Sequence, residues 1–141
     1  MTIAIRLNAK VSADFTLDLD CEMPARGVTA LLGPSGSGKT SVLRALAGLD
    51  AHPGTIRFGD EVWQDEKRFV PPHRRRVGYV FQGMGLLPHL TVRKNLDFAI
   101  ARAPGGAFAL DDVIARTGVA ALLDRRPAGL SGGEAQRAGI A

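Results

Sequence analysis

The stretch Gly33-Pro34-Ser35-Gly36-Ser37-Gly38-Lys39-Thr40 decides the fold. It has the form G-x-x-x-x-G-K-[ST], the pattern of a phosphate-binding loop. Its glycines and small serines let consecutive backbone N–H groups turn inward toward one anion. Upstream, Val28 to Leu32 is a nearly continuous apolar run, which predicts a buried parallel strand. Downstream, Val42, Leu43, Leu46 and Ala47 recur at helical spacing, and Gly48 stands where a helix C-cap belongs. Strand, loop and helix together aim the positive end of a helix dipole at the same anion. The residues expected to hold a nucleoside triphosphate are Gly33, Pro34, Ser35, Gly36, Ser37, Gly38, Lys39, Thr40 and Ser41. Lys39 reaches the β- and γ-phosphates, and the Thr40 hydroxyl ligates Mg²⁺. A glycine-rich turn with no ligand is the competing reading, and the flanking elements weigh against it.

The 141 residues, 45% of them hydrophobic, are one domain's worth of chain with a core to build. A net charge of +4 suits anionic ligands or a membrane-proximal surface but is far from a nucleic-acid-binding tail, so no nucleic-acid partner is expected. No run approaches the ~18 apolar residues of a membrane span. The start, Met1-Thr2-Ile3-Ala4-Ile5-Arg6-Leu7, lacks the layout of a secretory leader. The single cysteine, Cys21, excludes an internal disulfide and suits a reducing cytosol. Its phase with Phe15, Leu17 and Leu19 predicts a buried structural thiol.

Alternation at Ile3, Ile5 and Leu7, and again at Phe15, Leu17, Leu19 and Cys21, predicts two half-buried strands joined by a short turn. Ile56 and Phe58 lead through Gly59-Asp60 to Val62, the pattern of a hairpin, and Trp63 is expected to pack on that small sheet. Pro71-Pro72 precedes His73-Arg74-Arg75-Arg76, where a solvated loop or a contact to a helical subdomain is the expectation. Val77 to Phe81 predicts another short strand, ending at Gln82. Beyond Gln82 the period changes. Thr91 predicts a cap for a helix with Val92, Leu96, Ala99 and Ile100 on its apolar face. Ala103-Pro104-Gly105-Gly106 reads as a loop, Asp111 or Asp112 as the start of a second helix, and Gly118 as its end. The fold class expected is α/β, with a phosphate-loop core and antiparallel β subdomain over 1–82, a helical subdomain over 83–130 and a last helix over 131–141.

Leu130-Ser131-Gly132-Gly133-Glu134-Ala135-Gln136-Arg137 carries the second strong signal. Alone, Ser131 with Glu134 three residues later is a capping box. About ninety residues after a phosphate loop, it resembles the signature motif of ATP-binding-cassette (ABC) ATPases. Val77-Gly78-Tyr79-Val80-Phe81-Gln82 resembles that family's Q-loop. The resemblance covers essentially the whole chain. It implies ATP and Mg²⁺ as ligands, with Lys39 and Gln82 in the catalytic machinery and Thr40 and Gln82 at the metal. It implies that Ser131, Gly132, Gly133 and Glu134 close over the ATP held by a second ATPase subunit. The implied partners are that second copy, an integral membrane permease and, indirectly, a periplasmic substrate-binding protein. The implied place is the cytoplasmic face of a bacterial inner membrane. Pro24 to Ala30, Gly59 to Asp65, Pro71 to Gln82 and Leu87 to Leu96 look most like the ATPase subunits of molybdate importers, although sulfate, iron and polyamine importers share much of this layout.

Two features depart from the family pattern. The aromatic residue on which many members stack adenine is absent from Lys10-Val11-Ser12-Ala13, and the nearest, Phe15, reads as core. The sequence stops at Ala141 inside the signature helix, so the resemblance places the Asp-Glu strand and the histidine loop outside it. The expectation is a partial cassette that binds Mg-nucleotide weakly without turning it over. A nucleotide-binding module without activity and a DNA-repair type of ABC ATPase are the alternatives. The latter generally separates the two motifs by a coiled coil or zinc-bearing insertion, and neither pattern lies between Gln82 and Ser131.

Overall fold

Strand β1, Thr2–Ser12, follows from its alternation: Ile5, Leu7 and Ala9 are buried while Arg6, Asn8 and Lys10 face solvent. In the computed structural model, which describes residues 1–81, 83, 85–102 and 109–141, it is the spine of an antiparallel sheet. Strand β2, Phe15–Pro24, pairs along one side in the register Ile5↔Cys21 and Leu7↔Leu19. Strand β3, Gly54–Phe58, pairs on the other with Ile5↔Ile56. Strand β4, Glu61–Gln64, completes the order β2-β1-β3-β4 through the two-residue turn Gly59-Asp60. Helix α1, Lys39–Ala47, lays Val42 and Ala45 into the same core as Ile5, Leu7, Leu17, Ile56, Trp63 and Val70. Trp63 is buried and stacks on Phe58 with ring centroids 5.0 Å apart, as the hairpin reading required. Cys21 is half-buried, and burial raises its thiol above the ordinary range.

By their internal contacts the residues fall into two units, Met1–Gly78 and Tyr79–Ala141. In the second, helix α2 (Val92–Ile100), helix α3 (Leu110–Thr117) and helix α4 (Gly132–Ile140) gather Val92, Leu96, Ile114, Val119, Leu122 and Ala138 into one apolar cluster. Thr91 caps α2 by accepting from the Lys94 N–H at 3.3 Å. Two more N–H groups of its first turn, those of Val92 and Arg93, donate to the carbonyls of Arg125 and Leu123, both at 2.9 Å. Gly118 ends α3 in the left-handed conformation, φ 66°.

Four expectations need correction. Residues 28–32 form no strand: Val28 is 98% and Leu32 89% exposed, and no described strand pairs with them. Residues 77–81 likewise stay outside any sheet, with Val77, Val80 and Phe81 exposed. An apolar run suits a sheet interior, but a strand exists only where neighbouring backbone accepts its hydrogen bonds. On α2, Ala99 and Ile100 are exposed, and the polar Asn95 is buried with Val92 and Leu96 instead. Helix α3 begins one residue earlier than Asp111, with Ala109 at its N-cap. Asp111 and Asp112 lie in its first turn, where negative charge favours the helix dipole. The predicted loop at 103–106 lies outside the described residues.

Candidate functional site

The phosphate-binding pattern ends on a helix start of unusual chemistry. Gly38 is the N-cap of α1 in the left-handed conformation, φ 85°, which an L side chain rarely adopts. A side chain has no room there either: a Cβ on Gly38 would stand 2.7 Å from Cζ of Phe15. Phe15 packs on the sheet core and its ring abuts the loop, so its sequence reading as core holds. No side chain caps α1, and no acidic residue lies in its first turn. The other described helices differ. α2 and α4 carry side-chain caps from Thr91 and Ser131, and α3 carries Asp111 and Asp112. The first-turn N–H groups of α1 are therefore left to an outside acceptor.

Lys39 is the first residue of α1, and its side chain turns back over the loop. The ammonium donates to the carbonyls of Gly33 at 2.8 Å and Pro34 at 2.6 Å and to Ser37 Oγ at 3.4 Å. An ammonium has three donors, and the loop engages all three. The Ser37 N–H donates to the Pro34 carbonyl at 3.3 Å, which closes the curl. Gly33, Pro34, Ser35, Gly36 and Ser37 are exposed, as is Thr40, while Ser41 is half-buried. The structure thus brings the predicted residues 33–41 together as one continuous loop and helix start, with a positive charge fixed in it.

The opposite end of α1 is held by a residue that the sequence reading misplaced. Arg75 does not lie in a solvated loop. It is 4% exposed inside the first unit, although its neighbours Arg74 and Arg76 are exposed. A turn at Pro72–Arg74 points it inward. Its Nη1 donates to the carbonyls of Ala45 at 2.7 Å and Leu46 at 2.8 Å, and its Nε to that of Val70 at 2.8 Å. Those first two carbonyls belong to the last turn of α1, where the dipole favours a cation. The guanidinium also lies 5.5 Å from the Trp63 ring centroid and 5.2 Å from that of Phe69.

In the second unit, Ser131, Gly132, Gly133 and Glu134 open helix α4. The box is reciprocal: Ser131 N–H donates to Glu134 Oε2 at 2.7 Å, and Glu134 N–H donates to Ser131 Oγ at 3.3 Å. The hydrogen bonds from Ser131, with lesser help from Arg125 and Arg137, hold the Glu134 carboxyl below the usual range. Glu134 thus sits at the helix start as a charged cap. Gly132 and Gly133 are exposed, with open space where side chains would stand. Gln82 lies outside the described residues. Asn95 is a further organising residue that the sequence reading left unassigned. Its amide donates to the carbonyls of Thr91 at 2.9 Å and Leu87 at 3.2 Å, and its Oδ1 accepts from the Leu87 N–H at 2.7 Å. The available signal was an asparagine three residues after Val92, on the apolar side of the helix.

A profile of the ABC transporter family matches residues 17–141. The chain belongs to the ABC transporter family. Among the members of that family it resembles are the molybdenum import ATP-binding proteins ModC of two bacteria. The one from Thiobacillus denitrificans is 55% identical over 130 residues, covering 90% of this chain and 36% of that protein. The one from Pseudomonas fluorescens is 51% identical over 146 residues, covering 100% of this chain and 40% of that protein. The chain therefore spans well under half the length of these ABC relatives. Among solved structures, a dimeric ATP-binding cassette in a post-hydrolysis state bound to ADP and Pi superposes with a TM-score of 0.73. The match is 21% identical and covers 98% of this chain and 67% of that one, so the fold of this ABC chain is that of the cassette. Among the described residues no helix is long and apolar enough to cross a membrane.

Proposed function

We propose that the chain is part of the ATP-binding subunit of an ABC importer, which couples ATP binding and hydrolysis to uptake of an oxyanion, molybdate. The observation that carries the nucleotide reading is the uncapped N-terminus of α1 with the Lys39 ammonium fixed in the loop before it. A triphosphate takes the first-turn N–H groups as hydrogen-bond donors and Lys39 as the cation on its β- and γ-oxygens, the ammonium giving up loop acceptors to reach them. The exposed Thr40 hydroxyl, one residue on, fits Mg²⁺ shared with phosphate oxygens. When bound, Mg²⁺ neutralises part of the phosphate charge. Gln82 would serve that ion and the attacking water.

In the second unit, Ser131 with the N–H groups of Gly132 and Gly133 would take the phosphate of ATP held by another copy, while the Glu134 carboxylate keeps the helix start in shape. Hydrolysis, permease docking and the periplasmic substrate-binding protein belong to the whole protein, at the cytoplasmic face of the inner membrane. The likeness to molybdenum import proteins at 51–55% identity supports molybdate over the other importer substrates. The test uses the whole protein in a bacterium lacking its own molybdate importer ATPase. Uptake of trace labelled molybdate is expected with the natural protein and not with Lys39→Ala. Restored sulfate uptake with no molybdate uptake would overturn the substrate.

A further inference from the structure

Among the described residues, Arg75 is a buried cation with no carboxylate as a hydrogen-bond partner. Its Nη2 is buried and has no hydrogen-bond partner among the described residues, and burial pulls the guanidinium below arginine's ordinary range. Leaving a buried donor unpaired is unfavourable. What Arg75 does obtain is a grip on one place. Its planar fork holds two carbonyls of the last turn of α1 and the Val70 carbonyl beside it, with Trp63 and Phe69 flanking it. Gly48 closes the same turn with φ 73° and leaves the guanidinium its space.

We propose that Arg75 is a positioning residue for the phosphate loop: by gripping the C-terminal carbonyls of α1 it fixes the helix axis, and with it Lys39, Thr40 and the first-turn N–H groups at the other end. This rests on the nucleotide-binding reading above. The lever is geometric. The nine residues of α1 span about 13 Å at ~1.5 Å per residue. A pivot of roughly 10° at the gripped end moves the N-terminal donors by about 2 Å over that length. A binding constellation needs its groups held to within about 0.5 Å of the productive geometry, so a shift of that size is felt. The buried side chains of α1 (Val42, Ala45 and Ala47) begin only at its fourth residue, so packing holds its first turn less firmly than its last.

The experiment is a thermodynamic cycle of Mg-ATP affinity on the chain, using the natural sequence, Lys39→Ala, Arg75→Met and the double variant, at a temperature where all four give the same far-UV circular dichroism. Arg75→Met should weaken Mg-ATP by about tenfold or more, and the double variant should lose less than the two single losses together, because Lys39 once removed cannot be misplaced while Thr40 and the first-turn N–H groups still can. Arg75→Lys keeps the charge but loses the fork, and should recover only part of the affinity. Wild-type affinity in Arg75→Met, or full additivity in the cycle, overturns the positioning role while leaving the nucleotide reading intact. Equal affinities of the natural chain and Lys39→Ala overturn the nucleotide reading and this proposal with it. If Arg75→Met does not fold, amide exchange in Arg75→Lys decides. Faster exchange of the Val42 amide, which donates to the Gly38 carbonyl at 3.0 Å, supports the proposal, and unchanged exchange there overturns it.

Discussion

Arg75 and Gly48 share one space: a Cβ on Gly48 would stand 2.7 Å from Nε and 2.8 Å from Cζ of the guanidinium. The glycine is in the left-handed region at φ 73°, and the Val70 carbonyl lies 3.1 Å from the same Cβ position. Gly48→Ala therefore meets two penalties, about 1–2 kcal/mol for the backbone conformation and a further displacement of the buried cation. The urea midpoint of the variant should fall by more than the backbone strain alone, with an unchanged slope. A midpoint equal to that of the natural chain contradicts this packing.

The loop glycines should differ in their tolerance. Gly36 and Gly38 have nearly the same conformation, φ 82° and 85°, but only Gly38 is crowded, by Phe15 Cζ at 2.7 Å and Leu17 Cδ1 at 3.2 Å. Gly36→Ala should cost about 1–2 kcal/mol of strain in the folded state. Gly38→Ala should cost more, because the Phe15 ring must leave its seat on the sheet. Denaturant melts of the two variants compare them directly, and equal losses speak against the described contact.

Asn95 ties Leu87, Leu90 and Thr91 to helix α2 through its side-chain amide. Asn95→Ala takes away the acceptor of the Leu87 N–H and the donor to the Leu90 carbonyl and should destabilise by about 1–3 kcal/mol. The Leu87 amide, which donates to Oδ1 at 2.7 Å, should exchange with solvent markedly faster in the variant. Unaltered exchange at Leu87 would show that the loop is held by something else.

The capping box of α4 carries a pH dependence of known sign. The Glu134 carboxyl is held below its ordinary range by hydrogen bonds from Ser131. A depressed folded-state value means that its stabilisation is present above the unfolded value of about 4.3 and is lost as pH falls through the folded value. Glu134→Gln keeps an acceptor but cannot titrate. The stability difference between the natural chain and this variant should be flat above pH 5 or so and shrink on acidification below it. A difference that grows as pH falls would contradict the assignment.

What could be read from the sequence is what short-range chemistry fixes. Alternation at Ile5, Leu7, Leu17 and Leu19 gave the paired strands, because a period of two needs no knowledge of distant residues. Thr91, Ser131 with Glu134, Gly48 and Gly118 marked helix ends because caps act within a turn of their own position. Val28 to Leu32 and Val77 to Phe81 were misread for the converse reason: their composition suits burial, yet sheet formation depends on neighbours far along a chain. Arg75 was hidden in a run of three arginines, where composition says nothing about which one the Pro72–Arg74 turn sends inward. Asn95 is polar, so an apolar pattern does not mark it as buried; its burial depends on the loop carbonyls that its amide meets.

The central claim is that Lys39 and the start of α1 hold the triphosphate, and calorimetric titration of Mg-ATP into the chain and into Lys39→Ala tests it most directly. The charge-assisted contact of the ammonium is worth about 1.5–3 kcal/mol, so the variant should bind roughly ten to a hundred times more weakly. Equal affinities for the two proteins would contradict the account.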